Sequence, residues 1–331
     1  MLGGRVRSLV GAFIGIILGF SVAVLLGSLS PVGFSGFLNT LVWVYTNEAP
    51  LMFATVLLGP IACSSIGLTL AYRAKFITVG SEGQVLVGAV VTLWFLAYSG
   101  LNLNPLIAVP LSIILAGVSA TLIGLIPVLL RVYLNANEIL TSLMLNYVML
   151  YVVNYLASGP WRVGPFAITR SIGDEYRISP LTVLLVSLLL AIACWFILAR
   201  TRLGLMIEVY GRAPLVAETY GLNPRVTLVS VALISSFTAG VGGALMMLGF
   251  QYYLTPMSFS PGYGYMGVLV AWLSGNNPLV ALPASWFFSS ILVLGRSLQA
   301  SGLLIGYVLA IQSLIVLSVL AFKVITSRWL R

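Results

Sequence analysis

The chain has 331 residues, of which 60% are hydrophobic and only 7% are charged, and its mean hydropathy is +1.10. A soluble domain needs about 25% charged residues to cover its surface, so this composition excludes a soluble fold. The net charge of +9 comes without a basic stripe, which favours the basic cytoplasmic loops of a membrane protein over binding to nucleic acid.

Ten apolar segments are candidates to cross the bilayer, and several of them have the length of about 20 residues that a helix needs. The sequence therefore predicts an all-α, polytopic membrane protein with about ten transmembrane helices, some of them short or broken. No linker divides the chain, so we expect a single domain over residues 1–331. The predicted crossings lie near residues 8–28, 50–71, 82–99, 106–130, 139–158, 180–199, 227–249, 265–275, 278–296 and 302–322.

The first crossing follows Arg5 and Arg7 and is longer than the core of a signal peptide, so we expect an uncleaved helix with a cytoplasmic N-terminus. If the crossings alternate from there, most of the 16 basic residues fall on the cytoplasmic side. This asymmetry is typical of membrane proteins, and it predicts that both termini are cytoplasmic.

Two of the predicted crossings are interrupted. The third begins with Glu82 and Gln84, and the eighth, near 265–275, is short and flanked by glycines. Short, glycine-interrupted segments in matching places of two halves point to the binding site of a transporter. The stretches EGQVLVGAVV (82–91) and GYMGVLVAWL (264–273) are weakly alike, which is compatible with an internal repeat.

The fifth crossing carries Asn146 and Asn154, which are eight residues apart and therefore share one face of a helix. Polar side chains are costly in hydrocarbon, so they usually face a bundle interior or an aqueous cavity. Together with Glu82 and Gln84, they are our candidate residues for a substrate pathway. The alternative is that these side chains only bridge helices.

The longest cytoplasmic loop, about residues 200–226, is amphipathic rather than apolar. Pro214 is suited to open a short helix over residues 215–220, and Gly221 is suited to end it. A short helix on a basic cytoplasmic loop favours docking to a partner protein. The alternative is a helix that only lies in the membrane interface.

The chain also has no histidine, the commonest general base and metal ligand, and its two cysteines, Cys63 and Cys194, lie inside apolar runs without a CxxC partner. We therefore expect no catalytic residue, no metal site and no cofactor. A P-loop motif is absent as well, so the chain is expected to have no ATPase site of its own.

Five segments resemble, in chain order, one family of permeases. FITVGSEGQVLVGA (76–89) is similar to the F-N-I-G-A-E-G-Q segment of the membrane subunits of ABC importers for nucleosides, simple sugars and branched-chain amino acids. NEILTSLMLNYVMLYVVNYLASGP (137–160) resembles the nucleoside and simple-sugar branch. GRAPLVAETYGL (211–222) resembles the coupling segment, and SFTAGVGGA (236–244) and AWLSGNNP (271–278) resemble later segments.

The chain departs from the family pattern at three places. Thr78 stands where the family has asparagine, Ser274-Gly275 replaces Gly-Arg, and Ala213 replaces the asparagine of the coupling segment. If the first two positions contact substrate in the family, the ligand of this chain differs from the usual one.

The resemblance implies a permease subunit of an ABC importer that carries a nucleoside or a simple sugar through a prokaryotic cell membrane. It implies four kinds of neighbour: cytoplasmic ABC ATPase subunits, a second permease subunit that is identical or paralogous, an extracytoplasmic substrate-binding protein and membrane lipid. The residues that it assigns to coupling with the ATPase are Gly211, Arg212, Pro214, Ala217, Glu218 and Gly221.

Two other classes compete with this interpretation. A secondary transporter or channel for a small polar solute typically uses intramembrane acids or histidines, or rings of charge. Here only Glu82 and Glu138 lie near membrane segments, and the long cytoplasmic loop would have no purpose. A membrane-embedded enzyme is disfavoured because the chain has no histidine and no pair of intramembrane acids.

Overall fold

The computed structural model describes Ser21 and residues 33–101, 103–219, 221–256 and 262–329. These ranges contain helices and connecting segments and no β-strand, so the predicted all-α class is confirmed. The α-helices are α1 (Gly33–Thr46), α2 (Glu48–Arg73), α3 (Ser81–Leu93), α4 (Pro105–Leu134), α5 (Glu138–Ser158), α6 (Pro180–Arg200), α7 (Arg202–Arg212), α8 (Pro214–Thr219), α9 (Pro224–Met246), α10 (Tyr263–Leu273), α11 (Pro278–Ala300) and α12 (Ile305–Trp329).

Seven helices of the described ranges are long and apolar enough to cross a membrane, which supports a multi-pass membrane protein. Two of them, α3 and α9, end in a π-helical turn, Trp94–Tyr98 and Met247–Gln251, and α3, which has 13 residues, reaches the spanning length only with that turn. Two shorter apolar helices are α10 and the segment Ile305–Ala321. The first predicted crossing, near 8–28, lies almost wholly outside the described residues, so the number of about ten crossings stays a prediction.

Three long helices begin in the same way, with a capping side chain followed by proline. The capping oxygen accepts a hydrogen bond from a backbone N–H of the first turn. Proline fits at the first helical position because the N–H of that residue would have no partner within the helix. These pairs are Asn104-Pro105 at α4, Ser179-Pro180 at α6 and Asn223-Pro224 at α9. The sequence signals therefore set where these helices start.

The described residues form two compact units. The larger one is Thr55–Trp286, and the smaller one holds the described residues before and after that range. Within the smaller unit, the Tyr45 hydroxyl lies 3.0 Å from Ser290 Oγ, and the guanidinium of Arg296 lies 5.1 Å from the centre of the Phe53 ring. The single domain over residues 1–331 stays a prediction.

The core of the larger unit is the mutual packing of α3, α4 and α9. Their backbones come very close, since a Cβ added to Gly88 would lie 2.1 Å from the carbonyl oxygen of Gly240. A Cβ added to Gly240 would in turn lie 2.4 Å from Cβ of Ala120. Small residues allow such approach, and in a bilayer this close packing is a main source of helix association.

Candidate functional site

The two interrupted segments meet at their N-terminal ends. Glu82, in the first turn of α3, accepts a hydrogen bond from the backbone N–H of Gly264 over 2.7 Å, and Ser81 Oγ donates to the Gly264 carbonyl over 2.9 Å. A Cβ on Gly264 would lie 2.4 Å from the backbone nitrogen of Glu82, so the approach requires glycine. A carboxylate at the N-terminal ends of two helices is stabilised by both helix dipoles. We call this contact the helix joint.

An irregular segment, 76–80, in which Phe76, Thr78 and Gly80 are buried, leads from α2 into the helix joint. Such backbone is tolerated at membrane depth only where protein or cavity groups bond its peptide units. Here the Tyr72 hydroxyl donates to the Thr78 carbonyl over 2.9 Å, and Ser142 Oγ accepts from the Val79 N–H over 3.1 Å. Side chains of the neighbouring helices α2 and α5 therefore replace the missing helical hydrogen bonds.

Asn146 is the centre of this support. Its Oδ1 accepts from the Gly83 N–H over 2.8 Å, and its Nδ2 donates to the Val79 carbonyl over 2.9 Å and to the Tyr265 hydroxyl over 3.1 Å. The side-chain amide has room for about four hydrogen bonds, so most of its capacity is used on protein groups. Asn146 thus ties α5 to both helices of the joint.

The other two candidate pathway residues occupy different places. Gln84 is buried where α3 approaches α4 and α9, since a Cβ on Gly124 would lie 3.0 Å from its Nε2 and 1.8 Å from Ser236 Oγ. Asn154 is half-buried and lies about 12 Å along α5 from Asn146. The structure therefore brings Glu82 and Asn146 together, sets Gln84 beside them on α3, and places Asn154 two turns away.

The helix predicted in the loop at residues 200–226 is present as α8, which starts at Pro214 and ends at Thr219. Gly221 has a φ of 75°, and the N–H of Leu222 reaches back to the carbonyl of Ala217 over 3.0 Å. A glycine in this left-handed conformation commonly closes a helix C-terminus. Both predicted helix signals, Pro214 and Gly221, are confirmed.

The residues assigned to coupling do not all face outward. Ala217 is fully buried, so its methyl group packs inside the chain and not against a partner. Gly211 is also buried, and a Cβ there would lie 1.9 Å from the backbone carbonyl oxygen of Arg73. The Arg212 side chain is exposed. The side chain of Glu218 lies outside the described part of the structure.

Arg73, at the end of α2, connects this loop with the short helix α10. Its Nε donates to the carbonyl of Asn276, in the turn after α10, over 2.7 Å. Its Nη1 lies 3.5 Å from Glu208 Oε2 on α7, and Glu208 Oε1 accepts from Arg212 over 2.5 Å. The helix α10 is therefore held at its start by Glu82 and at its end by Arg73.

A cavity of about 350 Å³ lies between α8 and the beginning of the irregular segment. Two of the lining residues form an ion pair, with Arg131 Nη1 3.3 Å from Glu138 Oε2. This ion pair joins the end of α4 to the start of α5. The cavity is lined by Lys75, Phe76, Ile77, Arg131, Glu138, Tyr210, Pro214 and Leu228. The first residue of α8, Pro214, thus borders the same cavity as the beginning of the irregular segment.

Sequence reasoning missed several side chains of this site. Ser142 had a usable signal, because it lies four residues before Asn146 and therefore on the same helix face. Arg73 and Tyr265 had none, since their partners lie at distant positions of the chain, and Tyr72 had none because its partner, a backbone carbonyl, belongs to the irregular segment. Their roles depend on tertiary contacts that periodicity does not encode.

Comparison with known proteins places these features in a family. Residues 50–322 match the profile of the branched-chain amino acid transport system / permease component family. The nucleoside ABC transporter permease NupB of Lactococcus lactis is 28% identical over 251 residues, which cover 70% of this chain and 68% of NupB. The glucose ABC transporter permease TsgB13 of Haloferax volcanii is 27% identical over 292 residues, covering 82% and 76%.

A third relative, the guanosine ABC transporter permease NupP of Bacillus subtilis, is 30% identical over 233 residues, which cover 66% of this chain and 65% of NupP. No solved structure matches the chain significantly. The matched region includes both the helix joint and the loop that carries α7 and α8.

Proposed function

Because the chain belongs to the branched-chain amino acid transport system / permease component family, we propose that it forms the membrane pathway for a nucleoside or a simple sugar. It is a permease subunit of an ABC importer, and such permeases are transport subunits rather than enzymes. The observation that carries the proposal is the match over residues 50–322, which covers the helix joint and the coupling segment together.

The substrate class is argued from the relatives and from charge. Three relatives are named as permeases for nucleosides, guanosine and glucose, all of them uncharged polar solutes. The helix joint carries one acidic side chain, Glu82, whose oxygen bonds a backbone N–H, and amide and hydroxyl groups otherwise. A neutral polar solute fits such surroundings, and a nucleoside is preferred over a sugar.

The proposed partners of this permease follow from its family. Cytoplasmic ABC ATPase subunits dock on the loop that carries α7 and α8, a second permease subunit completes the pathway, and an extracytoplasmic binding protein delivers the solute. Exposed Arg212, beside α8, supports the loop as the docking surface. The excess of basic residues in the predicted cytoplasmic loops supports cytoplasmic termini.

We assign Glu82, Gln84, Asn146 and Asn154 to the wall of the substrate pathway. Glu82 and Asn146 bond mainly to backbone, so they hold the helix joint in place, and the solute passes the surface that the joint supports. Gln84 is buried and supports this wall from behind, between α3, α4 and α9, whereas half-buried Asn154 extends the polar surface on α5.

Coupling proceeds through Arg73. Movement of α7 and α8, driven by the ATPase, acts on Arg73 through Glu208 and through the contact of Gly211 with the Arg73 carbonyl. Arg73 also donates to the carbonyl of Asn276, directly after α10, so α10 moves with Arg73 as a rigid body. Small shifts of packed helices of this kind can switch a cavity from one side to the other.

The test is uptake of labelled nucleosides and sugars into proteoliposomes that contain this chain, its companion permease, the ATPase and the binding protein. We expect uptake that requires ATP and stops when the ATPase cannot hydrolyse it. Uptake by this chain alone, driven by an ion gradient, would instead establish a secondary transporter.

A further inference from the structure

One face of α5 carries a row of tyrosines. Tyr147, Tyr151 and Tyr155 follow one another at intervals of four residues, which places them on the same side of the helix. Their exposed fractions are 51%, 69% and 70%. The opposite side of α5 is the buried one that supports the helix joint with Ser142 and Asn146. We call this exposed face the tyrosine row.

The exposed faces of the neighbouring long helices have a different composition. On α4 and α6 the large exposed side chains in the middle of the helix are hydrocarbon, as expected for contact with lipid tails. On α4 they are Leu111, Ile114, Val118, Leu122, Ile126 and Leu129, and on α6 they are Leu185, Leu188, Leu189 and Ile192. Only α5, among these three helices, exposes phenol hydroxyls over its central turns.

Lipid tails are a poor environment for the tyrosine row. None of the three hydroxyls has a hydrogen-bond partner among the described residues. A hydroxyl without a partner is costly in hydrocarbon, and membrane proteins place exposed tyrosines at the two interfaces instead. Tyr147 and Tyr151, however, lie in the middle third of the 21-residue helix. The same face also exposes Met144 and Val148, so it is the phenol hydroxyls that require contact with water or polar groups.

The tyrosine row is continuous with the helix joint. Tyr147 directly follows Asn146, whose amide donates to the hydroxyl of Tyr265 on α10, and Tyr265 is itself only partly buried. From Tyr147 to Tyr155 the row extends about 12 Å along α5. Half-buried Asn154 lies at its edge. The row thus starts at the broken helices and runs along the predicted direction of transport.

We propose that the tyrosine row lines the aqueous substrate pathway and that a flat, uncharged ring, as in a nucleobase, stacks on these phenol rings. Aromatic faces stack on any base, and the hydroxyls add hydrogen bonds without charge. Three equivalent rings about 6 Å apart offer successive weak sites, so that a solute can enter and also leave. This inference rests on the proposed permease function and specifies the side chains that contact the substrate.

The first test uses a charged, water-soluble thiol reagent on the complete transporter in proteoliposomes. Tyr151→Cys should react, and an added nucleoside should slow the reaction. Leu185→Cys, which replaces a side chain 49% exposed on the hydrocarbon face of α6, is the matched control and should stay unreacted. The native Cys63 and Cys194 are buried, so the unmodified chain gives the background.

Three results would overturn the inference: no reaction at Tyr151→Cys, a reaction that nucleoside does not slow, or a crosslink from that cysteine to the second permease subunit, which would make the row a subunit interface. These results are separate from the proposed function. Unmodified transporter that shows ATP-dependent uptake together with an unreactive Tyr151→Cys contradicts only the tyrosine row, whereas absence of ATP-dependent uptake contradicts the permease function itself.

The second test measures transport. Tyr151→Leu removes the ring and should raise the nucleoside concentration for half-maximal uptake about tenfold, as expected for the loss of one stacking contact. Tyr151→Phe keeps the ring and should raise it less than Tyr151→Leu does. Equal effects of the two substitutions would contradict a stacking role.

Discussion

The carboxylate of Glu82 and the backbone N–H of Gly264 are 182 residues apart in the chain and 2.7 Å apart in the structure. This hydrogen bond joins the first turns of α3 and α10, and the glycine is required because any side chain there would collide with the backbone of Glu82. The same two segments interrupt the apolar pattern of the sequence. The interruption is therefore the place where two short helices meet end to end.

Glu82→Leu should destabilise the permease. The substitution leaves the Gly264 N–H without its buried acceptor, and an unsatisfied buried donor costs about 1–3 kcal/mol. We expect a lower thermal unfolding temperature of the purified transporter and reduced uptake. Glu82→Gln keeps an acceptor oxygen and serves as the control with a smaller effect. Equal unfolding temperatures for Glu82→Leu and the unmodified protein would exclude this role.

Asn146→Leu should impair both stability and uptake. It removes the acceptor for the Gly83 N–H and the donor to the Val79 carbonyl, so two buried peptide groups lose their partners. Asn154→Leu, on the same helix but half-buried, is the matched control and should cost less stability. The measurement is the thermal unfolding temperature of each variant in the detergent-solubilised transporter. A larger loss of stability for Asn154→Leu would contradict the support of the helix joint by Asn146.

Arg73→Gln should reduce uptake more strongly than it reduces ATP hydrolysis. The substitution weakens the hold on the Asn276 carbonyl and removes the charge that faces Glu208. Glu208→Gln weakens two ion pairs, with Arg73 and with Arg212, but their shared acidic side chain is 44% exposed, and each such pair contributes about 0–1 kcal/mol. We therefore expect Glu208→Gln to be mild. Solute transported per ATP hydrolysed is the measurement, and an unchanged ratio for Arg73→Gln would remove Arg73 from coupling.

Gly211→Ala should displace the loop that carries α7 and α8. The added methyl group would lie 1.9 Å from the Arg73 carbonyl oxygen, which cannot yield without moving the end of α2. We expect weaker binding of the ATPase subunits and lower uptake, measured by co-purification and transport. Gly306→Ala, with nothing within 4 Å of the added methyl group, is the control. Normal co-purification and normal uptake of Gly211→Ala would contradict close packing of this loop.

The helices of this protein were readable from the sequence because long apolar runs and capping pairs are local signals. Pro214 and Gly221 bound the helix α8 as predicted, and the short helix α10 lies within two residues of its predicted place at both ends. What the sequence did not reveal is the direction of individual side chains. Ala217 carried the family pattern and was assigned to coupling, but it is buried.

The candidate pathway residues illustrate the same limit. Polarity within an apolar helix correctly marked Asn146 as a residue with a special environment, but it could not distinguish a bond to the backbone of another segment from contact with a solute. Asn146 bonds the Val79 carbonyl and the Gly83 N–H. These peptide groups need a side-chain partner because the segment before α3 is not helical and so offers them no helical hydrogen bond. Hydropathy averages over such a segment, so its need for side-chain partners becomes visible only in three dimensions.

The irregular segment before α3 also constrains how the protein is made. Its Val79 N–H is bonded by Ser142, 63 residues further along the chain, and its Val79 carbonyl by Asn146, 67 residues further. During synthesis α2 and α3 emerge before these partners exist, so their hairpin cannot remain exposed to lipid without unsatisfied peptide groups. We expect this hairpin to stay within the insertion machinery, or at a water-filled edge of that machinery, until α5 has been synthesised. Chains truncated before Glu138 should stay crosslinked to that machinery, whereas chains extended past Ser158 are released into the bilayer.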